Sequence, residues 1–156
     1  MLQGSFRKCL FSENGNSGIG VSKLASPYFE DCEIYGNKQS GVHVYLKGLG
    51  MFHRCTVHSH EQPNVAVSEN SDPVFVECKI NSSQSYGVLA CDGGNGTFKQ
   101  CEIYSNELAG VGVSGASNPC FTQCTIRDGH ENGTYTQLAC PLGAFQPRLV
   151  SAAQIT

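Results

Sequence analysis

Cysteine is the residue type with the most obvious capacity for chemistry in this 156-residue chain, which contains nine of them. Thiols can form disulfides, bind metal ions or act as nucleophiles. Six recur at intervals of 23 residues: Cys9, Cys32, Cys55, Cys78, Cys101 and Cys124. Zinc sites usually bring thiolates together in C-x₂-C pairs, whereas here the nearest pair, Cys120 and Cys124, is separated by three residues. The constant interval therefore indicates a structural repeat rather than a metal centre.

Hydrophobic residues keep the same interval, which predicts a repeated structural unit. A phenylalanine stands three residues before each cysteine of the column, at Phe6, Phe29, Phe52, Phe75, Phe98 and Phe121. Each unit also contains a G-V-x-V segment and a segment of the form P-x-F-x-x-C-x-I that ends in polar turn residues. A unit of this length leaves no room for a ten-residue helix beside two strands, and no 3.6-residue pattern occurs. The remaining solution is a coil of two or three short strands.

Such coils stack as parallel strands about 4.8 Å apart, so that equivalent residues of successive units lie above one another. The predicted fold is therefore all-β, a right-handed parallel β-helix (a solenoid) of about six coils. The coils occupy residues 1–137. Residues 138–156 lose the period, and we expect them to cap the last coil or to be a truncated continuation. The repeat begins almost at the first residue, so we also expect a fragment of a longer β-helix.

A glycine column precedes the G-V-x-V strands. It consists of Gly18, Gly41, Gly87, Gly110 and Gly133, with Asn64 in the same place in the third unit. Asparagine is, after glycine, a residue that tolerates positive φ well. The column therefore predicts a left-handed backbone before each of these strands.

The cysteine column is predicted to be a ladder of buried thiols without disulfides. Stacked Cα atoms about 4.8 Å apart fall within the disulfide range, but parallel Cβ vectors keep the Cβ atoms too far apart. Reduced thiols indicate an intracellular location, cytoplasmic or nuclear, and the first residues lack the apolar centre of a signal peptide. Cys91 lies outside the column and is the best candidate for a reactive thiol, since it is expected to point outward from its strand.

Binding is expected on the outer face of the G-V-x-V strands. His43 and Tyr45 project outward there among small residues, and their rings suit stacking on a flat partner. Glu69, which follows Ser68, and Asp92 are the one pair of stacked acidic residues at the strand exits. Glycosidases need two carboxylates across one groove, and these strands carry no outward carboxylate. We therefore assign binding, and no catalytic role, to His43, Tyr45, Ser68, Glu69 and Asp92.

Two further sets of polar residues are interpreted as structural. His58 and His60, in the sequence HSHEQPN, are taken as solvated turn residues that lie away from His43, so neither a metal site nor a cofactor is predicted. The column before the cysteines reads Lys8, Asp31, Arg54, Glu77, Gln100 and Gln123. Stacked neighbours of opposite charge support strand pairing by a few tenths of a kcal/mol each.

The overall composition excludes several classes of partner. Hydrophobic residues make up 40% of the chain, its formal net charge is −3 and no apolar run is long enough to span a bilayer. Neither nucleic acid nor a membrane is therefore an expected partner. Asn-x-Ser/Thr triplets occur at Asn81, Asn95 and Asn132, and we attribute them to turn composition rather than to glycosylation.

The repeat resembles the parallel β-helix repeat (CASH domain) family over residues 4–136, and most closely the β-helix region of F-box-type ubiquitin-ligase substrate receptors. Repeats of that family have the form N-P-x-I-x-x-N-x-I-x-x-N-x-x-x-G-V-x-V and alternate proline corners with G-x-G coils, as NSDP and KGLG do here. Cysteine replaces asparagine in the turn column, and the matched residues include no helical F-box segment.

The resemblance implies a non-enzymatic scaffold that recognises a protein partner, as the substrate-binding part of a ubiquitin-ligase-type receptor does. A carbohydrate-binding or pectin-lyase-like carbohydrate-active β-helix is the alternative, with a glycan as the ligand. The Asp and Arg sites of the pectin-degrading members find no matching positions in this sequence. The transfer rests on fold-level analogy.

Overall fold

The computed structural model describes residues 3–136, which form a stack of coils built from three-residue β-strands. The strands are numbered β1 to β18 in chain order. Within the described residues they form three six-stranded sheets, in which each strand pairs in parallel with the equivalent strand of the next coil. The all-β solenoid predicted from the 23-residue interval is confirmed. No helix in this part of the chain is long and apolar enough to cross a membrane.

Each coil contributes one strand to each sheet. The first sheet contains β1 (Ser5–Arg7), β4 (Tyr28–Glu30), β7 (Met51–His53), β10 (Val74–Val76), β13 (Thr97–Lys99) and β16 (Cys120–Thr122). The second sheet contains β2 (Leu10–Ser12), β5 (Glu33–Tyr35), β8 (Thr56–His58), β11 (Lys79–Asn81), β14 (Glu102–Tyr104) and β17 (Thr125–Arg127). The third sheet contains β3 (Ile19–Val21), β6 (Val42–Val44), β9 (Val65–Val67), β12 (Val88–Ala90), β15 (Val111–Val113) and β18 (Thr134–Thr136).

The phenylalanine column is the centre of the core. It is a continuous stack, in which successive ring centroids are 4.9, 4.8, 4.4, 4.9 and 4.7 Å apart and the ring planes are nearly parallel. Phe52, Phe75, Phe98 and Phe121 are fully buried, whereas Phe6 in the first coil is 39% exposed. Burial of one such ring stabilises the fold by roughly 1.5–3 kcal/mol. Aliphatic side chains from the other two sheets surround the stack.

The cysteine column lies at the turn between the first and second sheets, as predicted. No disulfide joins the eight cysteines of residues 3–136, and Cys140 lies outside the described residues. The thiols of Cys78 and Cys124 each donate a hydrogen bond of 3.3 Å to the carbonyl oxygen of a stacked phenylalanine. Hydrogen bonds with Cys101 and Cys55, together with burial, raise the pKa of the Cys78 thiol. Cys91 is half-buried.

The column before the cysteines has a backbone constraint that its residue types did not reveal. Its six residues, Lys8, Asp31, Arg54, Glu77, Gln100 and Gln123, are all left-handed, with φ between 51° and 55°. One of the expected contacts between opposite charges forms here, with 2.8 Å between Arg54 Nε and Asp31 Oδ1. The hydrogen bond from Arg54 holds the pKa of the Asp31 carboxyl below its ordinary value. Charge pairing therefore coincides with a tight turn.

The prediction for the glycine column is wrong, because Gly18, Gly41 and Gly87 do not adopt positive φ, and neither does Asn64. These glycines are needed for close packing. A Cβ atom at Gly87 would lie 2.7 Å from Asn106 Nδ2, and one at Gly18 would lie 2.6 Å from Asn37 Nδ2. Both distances are too short for a carbon atom, so a side chain is excluded.

The polar side chains that crowd the glycines form a second internal ladder, at the turn between the second and third sheets. Its members are Asn37, His60, Ser83 and Asn106, all at most 1% exposed. His60 was predicted to be a solvated turn residue, and it is instead completely buried. Its Nε2 atom donates to the carbonyl oxygen of Ile34 at 3.2 Å, and its Nδ1 atom accepts from the backbone N–H of Asn37 at 3.0 Å. The ring therefore satisfies both nitrogens as a neutral imidazole.

Burial of His60 predicts that acid destabilises the protein. Desolvation lowers the pKa of His60 to about 4, against an ordinary value of 6.5 for an exposed imidazole. Below pH 6.5 the unfolded chain therefore binds a proton that the folded chain does not. The free energy of unfolding consequently decreases as the pH is lowered from 6.5 to about 4. We expect a loss of roughly 2 kcal/mol between pH 7 and pH 5 from this residue. Urea unfolding at a series of pH values measures it.

The matched control is His60→Asn, since Asn37 already holds the same position in the second coil without a titrating ring. This variant should keep the ladder and lose most of the slope between pH 7 and pH 5. His43, whose pKa is also lowered by burial, contributes to the slope that remains. An unchanged slope in His60→Asn would contradict the prediction.

Candidate functional site

The outer face of the third sheet carries the candidate binding residues. In β6 the side chains alternate, so that Val42 and Val44 are fully buried while His43 points outward and is half-buried. Tyr45 follows the strand and turns back towards His43. Their ring centroids are 4.7 Å apart and their planes are inclined by 33°. The outward direction predicted for both residues agrees with this arrangement.

His43 and Tyr45 form one wall of a surface hollow of about 340 Å³. The other lining residues are Asn16, Ser17, Gly20 and Gln39. Gly20 of β3 lies in register with His43 and leaves the space open, because a Cβ atom there would approach only Tyr45 Cε1, at 3.9 Å. The hollow therefore combines an aromatic wall with amide and hydroxyl groups. We call it the β3–β6 hollow.

A hydrogen bond and partial burial fix the state of His43. Its Nε2 atom lies 3.4 Å from Ser68 Oγ, and burial lowers the pKa of the ring while Glu69 partly opposes that change. The ring is therefore neutral at neutral pH and presents one donor and one acceptor. Ser68 is only 8% exposed, so it orients His43 instead of lining the hollow.

The two acidic residues predicted for the site occupy neighbouring turns and do not line the hollow. Glu69 follows β9 and Asp92 follows β12, both with a left-handed backbone, at φ values of 52° and 49°. Their carbonyl oxygens accept backbone hydrogen bonds from Lys47 at 2.9 Å and from Asn70 at 3.3 Å. The structure thus brings His43, Tyr45 and Ser68 together and leaves the carboxylates at the border of this group.

Sequence reasoning missed four lining residues, Asn16, Ser17, Gly20 and Gln39. Asn16 and Gln39 are equivalent turn residues of the first two coils, and their amides approach to 3.4 Å. A signal was present, since Gly20 is one of two glycines in the outward column on these strands, and it stands in register with His43 of the next coil. A glycine in one coil next to two aromatic side chains in the following coil, His43 and Tyr45, leaves a hollow in the surface.

Metal binding finds no support around the histidines. Among residues 3–136, His, Cys, Asp and Glu side chains do not gather in groups of three or more that could hold a metal ion. His58, predicted to be a solvated turn residue, ends β8 and stacks on Tyr35 at 5.3 Å. Its Nε2 atom lies 3.2 Å from Glu33 Oε1. It therefore packs on the outer face of the second sheet.

The sequence matches the family model described as right handed beta helix region, over residues 3–93 and 65–142. The chain belongs to this family. The match covers most of the β-helix described above and agrees with the right-handed winding predicted from the sequence. A comparison with curated proteins finds none that matches significantly.

Two solved structures resemble this β-helix, both from Azotobacter vinelandii. The A-module of the mannuronan C-5 epimerase AlgE6 matches with a TM-score of 0.77 and 15% identity, over 85% of this chain and 38% of that one. The A-module of AlgE4 matches with a TM-score of 0.56 and 12% identity, over 88% and 56%. At these identities the likeness shows the fold. This β-helix spans less than two thirds of either module.

Proposed function

We propose that this β-helix is a non-catalytic binding module whose β3–β6 hollow holds a carbohydrate. The observation that carries the proposal is the combination of the His43–Tyr45 rings with amide and hydroxyl groups around one hollow. A sugar has an apolar C–H face that packs on an aromatic ring, and it has hydroxyl groups that both donate and accept hydrogen bonds. Asn16, Ser17, Gln39 and neutral His43 offer both functions.

The chemistry of the lining supports binding rather than cleavage. Glycoside hydrolysis uses a pair of carboxylates on either side of the bond that breaks. The residues around the hollow carry hydroxyl, amide, phenol and imidazole groups. Glu69 and Asp92 belong to turns of the third and fourth coils, and their backbone conformation serves the turn.

The similar structures lend this proposal limited support. Both are named as mannuronan C-5 epimerases, so the same coil architecture carries carbohydrate chemistry in those proteins. Recognition of a protein, as the substrate-binding part of a ubiquitin-ligase-type receptor would perform it, is the competing function. It rests on the resemblance of the repeat to F-box-type receptors. An intracellular location belongs to the same hypothesis.

Tyr45→Ala tests the proposal, since it removes the aromatic wall of the hollow. We expect at least about tenfold weaker binding of oligosaccharides, because an aromatic side chain supplies most of the apolar contact in such a site. Titrations followed by NMR, with neutral and acidic oligosaccharides of increasing length, measure the affinity and map the contacted amides. Gly20→Leu should also weaken binding, by filling the space.

The matched control is Tyr104→Ala, which removes a half-buried outward tyrosine from the second sheet. Its affinity should equal that of the unmodified protein. If Tyr45→Ala and Gly20→Leu both bind oligosaccharides with the affinity of the unmodified protein, the sugar does not bind in the β3–β6 hollow. A chain that binds no oligosaccharide, yet captures a protein partner through His43 and Tyr45, would favour protein recognition.

A further inference from the structure

A different surface, on the first sheet, carries positive and negative charges in alternating order along the solenoid. The turn column next to this sheet begins Lys8, Asp31, Arg54 and Glu77, one residue per coil. Lys8, Arg54 and Glu77 are exposed and Asp31 is half-buried. Their signs alternate as plus, minus, plus, minus up the stack. Inverting this order about the point between Asp31 and Arg54 exchanges every residue with one of opposite charge.

Inversion of this kind is what a two-fold axis produces. If the axis lies in the contact plane, parallel to the strands and between the second and third coils, the two solenoids run antiparallel. Each residue then faces the residue of its own column that lies equally far on the other side of the axis. Lys8 faces Glu77 of the second copy, and Asp31 faces Arg54. The column is thus complementary to itself.

The two central residues of each neighbouring column on the outer face of the first sheet are also complementary about this point. Glu30 and His53 stack on each other across the same point and would face one another between copies. Tyr28 and Met51 form the next column in register, and Met51 is 42% exposed. The axis therefore places a carboxylate against an imidazole and an aromatic ring against a thioether, and both are favourable contacts.

We infer that this face, made by the outer side of β1, β4, β7 and β10 with the adjoining turn column, binds a second copy of the chain. An apolar strip with charges of both signs at its border is typical of an interface between protein molecules. The other two-fold arrangement, with an axis along the solenoid and through this column, would set each charge of the column against itself. The charge order selects the antiparallel dimer.

Contacts within one copy hold the charged groups in place. Arg54 Nε and Nη2 bond both oxygens of Asp31, at 2.8 and 3.1 Å, and Nη2 also lies 3.0 Å from Glu30 Oε1. Arg7 reaches Glu30 from the coil below, at 3.2 Å. Side chains that are already ordered lose less conformational entropy when a partner docks.

Charge exchange at the ends of the column tests the dimer. Lys8→Glu and Glu77→Lys each set like charges against each other twice in the dimer. Both positions share the left-handed backbone, and both residue types already occur in this column, so the turn tolerates either. Sedimentation velocity over a concentration series, at low and at physiological salt, measures association. Thermal unfolding of each variant checks that the fold is intact.

We expect the unmodified chain to form dimers that weaken as salt increases, and each single variant to dimerise at least about tenfold more weakly. Mixing the two single variants should restore association as a heterodimer, because each altered residue then faces an opposite charge. The double variant should dimerise with itself. Gln123→Lys, in the same column but beyond the proposed contact, should behave as the unmodified chain does.

An unmodified chain that stays monomeric up to submillimolar concentration overturns the inference. So do single variants that dimerise as the unmodified chain does, or a mixture that fails to associate more strongly than its components. Oligosaccharide binding at the β3–β6 hollow is an independent result, since that hollow belongs to the third sheet.

Discussion

Replacing Phe75 by alanine should lower the free energy of unfolding by about 3–5 kcal/mol. Phe75 is fully buried and stacks on Phe52 at 4.4 Å and on Phe98 at 4.9 Å. The substitution removes the transfer free energy of the ring and leaves a cavity between two rings that the flanking strands hold apart. Solenoid coils contact only their neighbours, so the substitution weakens the contacts between the fourth coil and the coils on either side of it. Urea unfolding with linear extrapolation measures it.

Phe6→Ala is the matched control, because it deletes the same side chain from the same column. Phe6 is 39% exposed and has one stacking neighbour, Phe29, at 4.9 Å. We expect a loss of about 1 kcal/mol, since less apolar area leaves water and no closed cavity forms. Equal losses in the two variants would show that stacking inside the column does not determine the stability of the coil.

The sequence was sufficient for the architecture because the coil repeats one environment six times. A phenylalanine at one position is weak evidence, whereas a phenylalanine above another in every coil requires a common interior position. Strand parity then assigns the outward direction of His43. Tyr45, one residue beyond the strand, continues the alternation, whereas Ser68 in the same place of the next coil is buried. Parity is a property of extended backbone. It therefore says nothing about side chains in the turns.

The failures follow from that limit. Ser68 and His60 both lie beyond strand ends and both are buried, His60 in the internal ladder and Ser68 with its Oγ atom 3.4 Å from His43 Nε2. Their polar character suggested solvent, but the interior of this solenoid offers unpaired backbone groups at its corners. His60 bonds two of them, so burial of the ring satisfies backbone atoms as well as its own nitrogens. Asn16 and Gln39 are exposed but also lie in turns, where strand parity assigns no direction.

The glycine column shows how a correct pattern can be given a wrong cause. Gly18, Gly41 and Gly87 precede strands, where positive φ is common, and asparagine at position 64 fitted that explanation. The structure shows a steric cause instead, in which each of these three glycines makes room for a polar side chain 19 residues later, whereas Gly110, which has Gly129 in that place, lies against Ile126. Position 64 can hold asparagine instead of glycine for the same steric reason. Its partner, Ser83, is small, and the asparagine side chain fills the vacated space.

This explanation predicts strong coupling between positions 64 and 83. Asn64 Nδ2 donates to the carbonyl oxygen of Asn81 at 2.8 Å and lies 3.2 Å from Asn106 Oδ1. Asn64→Gly removes these contacts and opens a cavity, so it should cost about 2 kcal/mol. Ser83→Asn puts a second amide into occupied space and should cost a similar amount, about 1–3 kcal/mol. Urea unfolding of both single variants and the double variant completes the cycle.

The double variant should be about as stable as the unmodified chain, because it recreates the arrangement of Gly18 and Asn37 in the fourth coil. There the amide of Asn37 donates to the carbonyl oxygen of Phe11 and accepts the backbone N–H of Asn14. In the described structure Asn64 Oδ1 and Asn106 Nδ2 are buried without a hydrogen-bond partner. The natural combination of Asn64 with Ser83 therefore leaves polar atoms unpaired. The coupling free energy should therefore be roughly 4 kcal/mol, the sum of the two single losses. Losses that simply add would mean that positions 64 and 83 do not compete for one space, and that the agreement between the glycine column and the polar ladder is incidental.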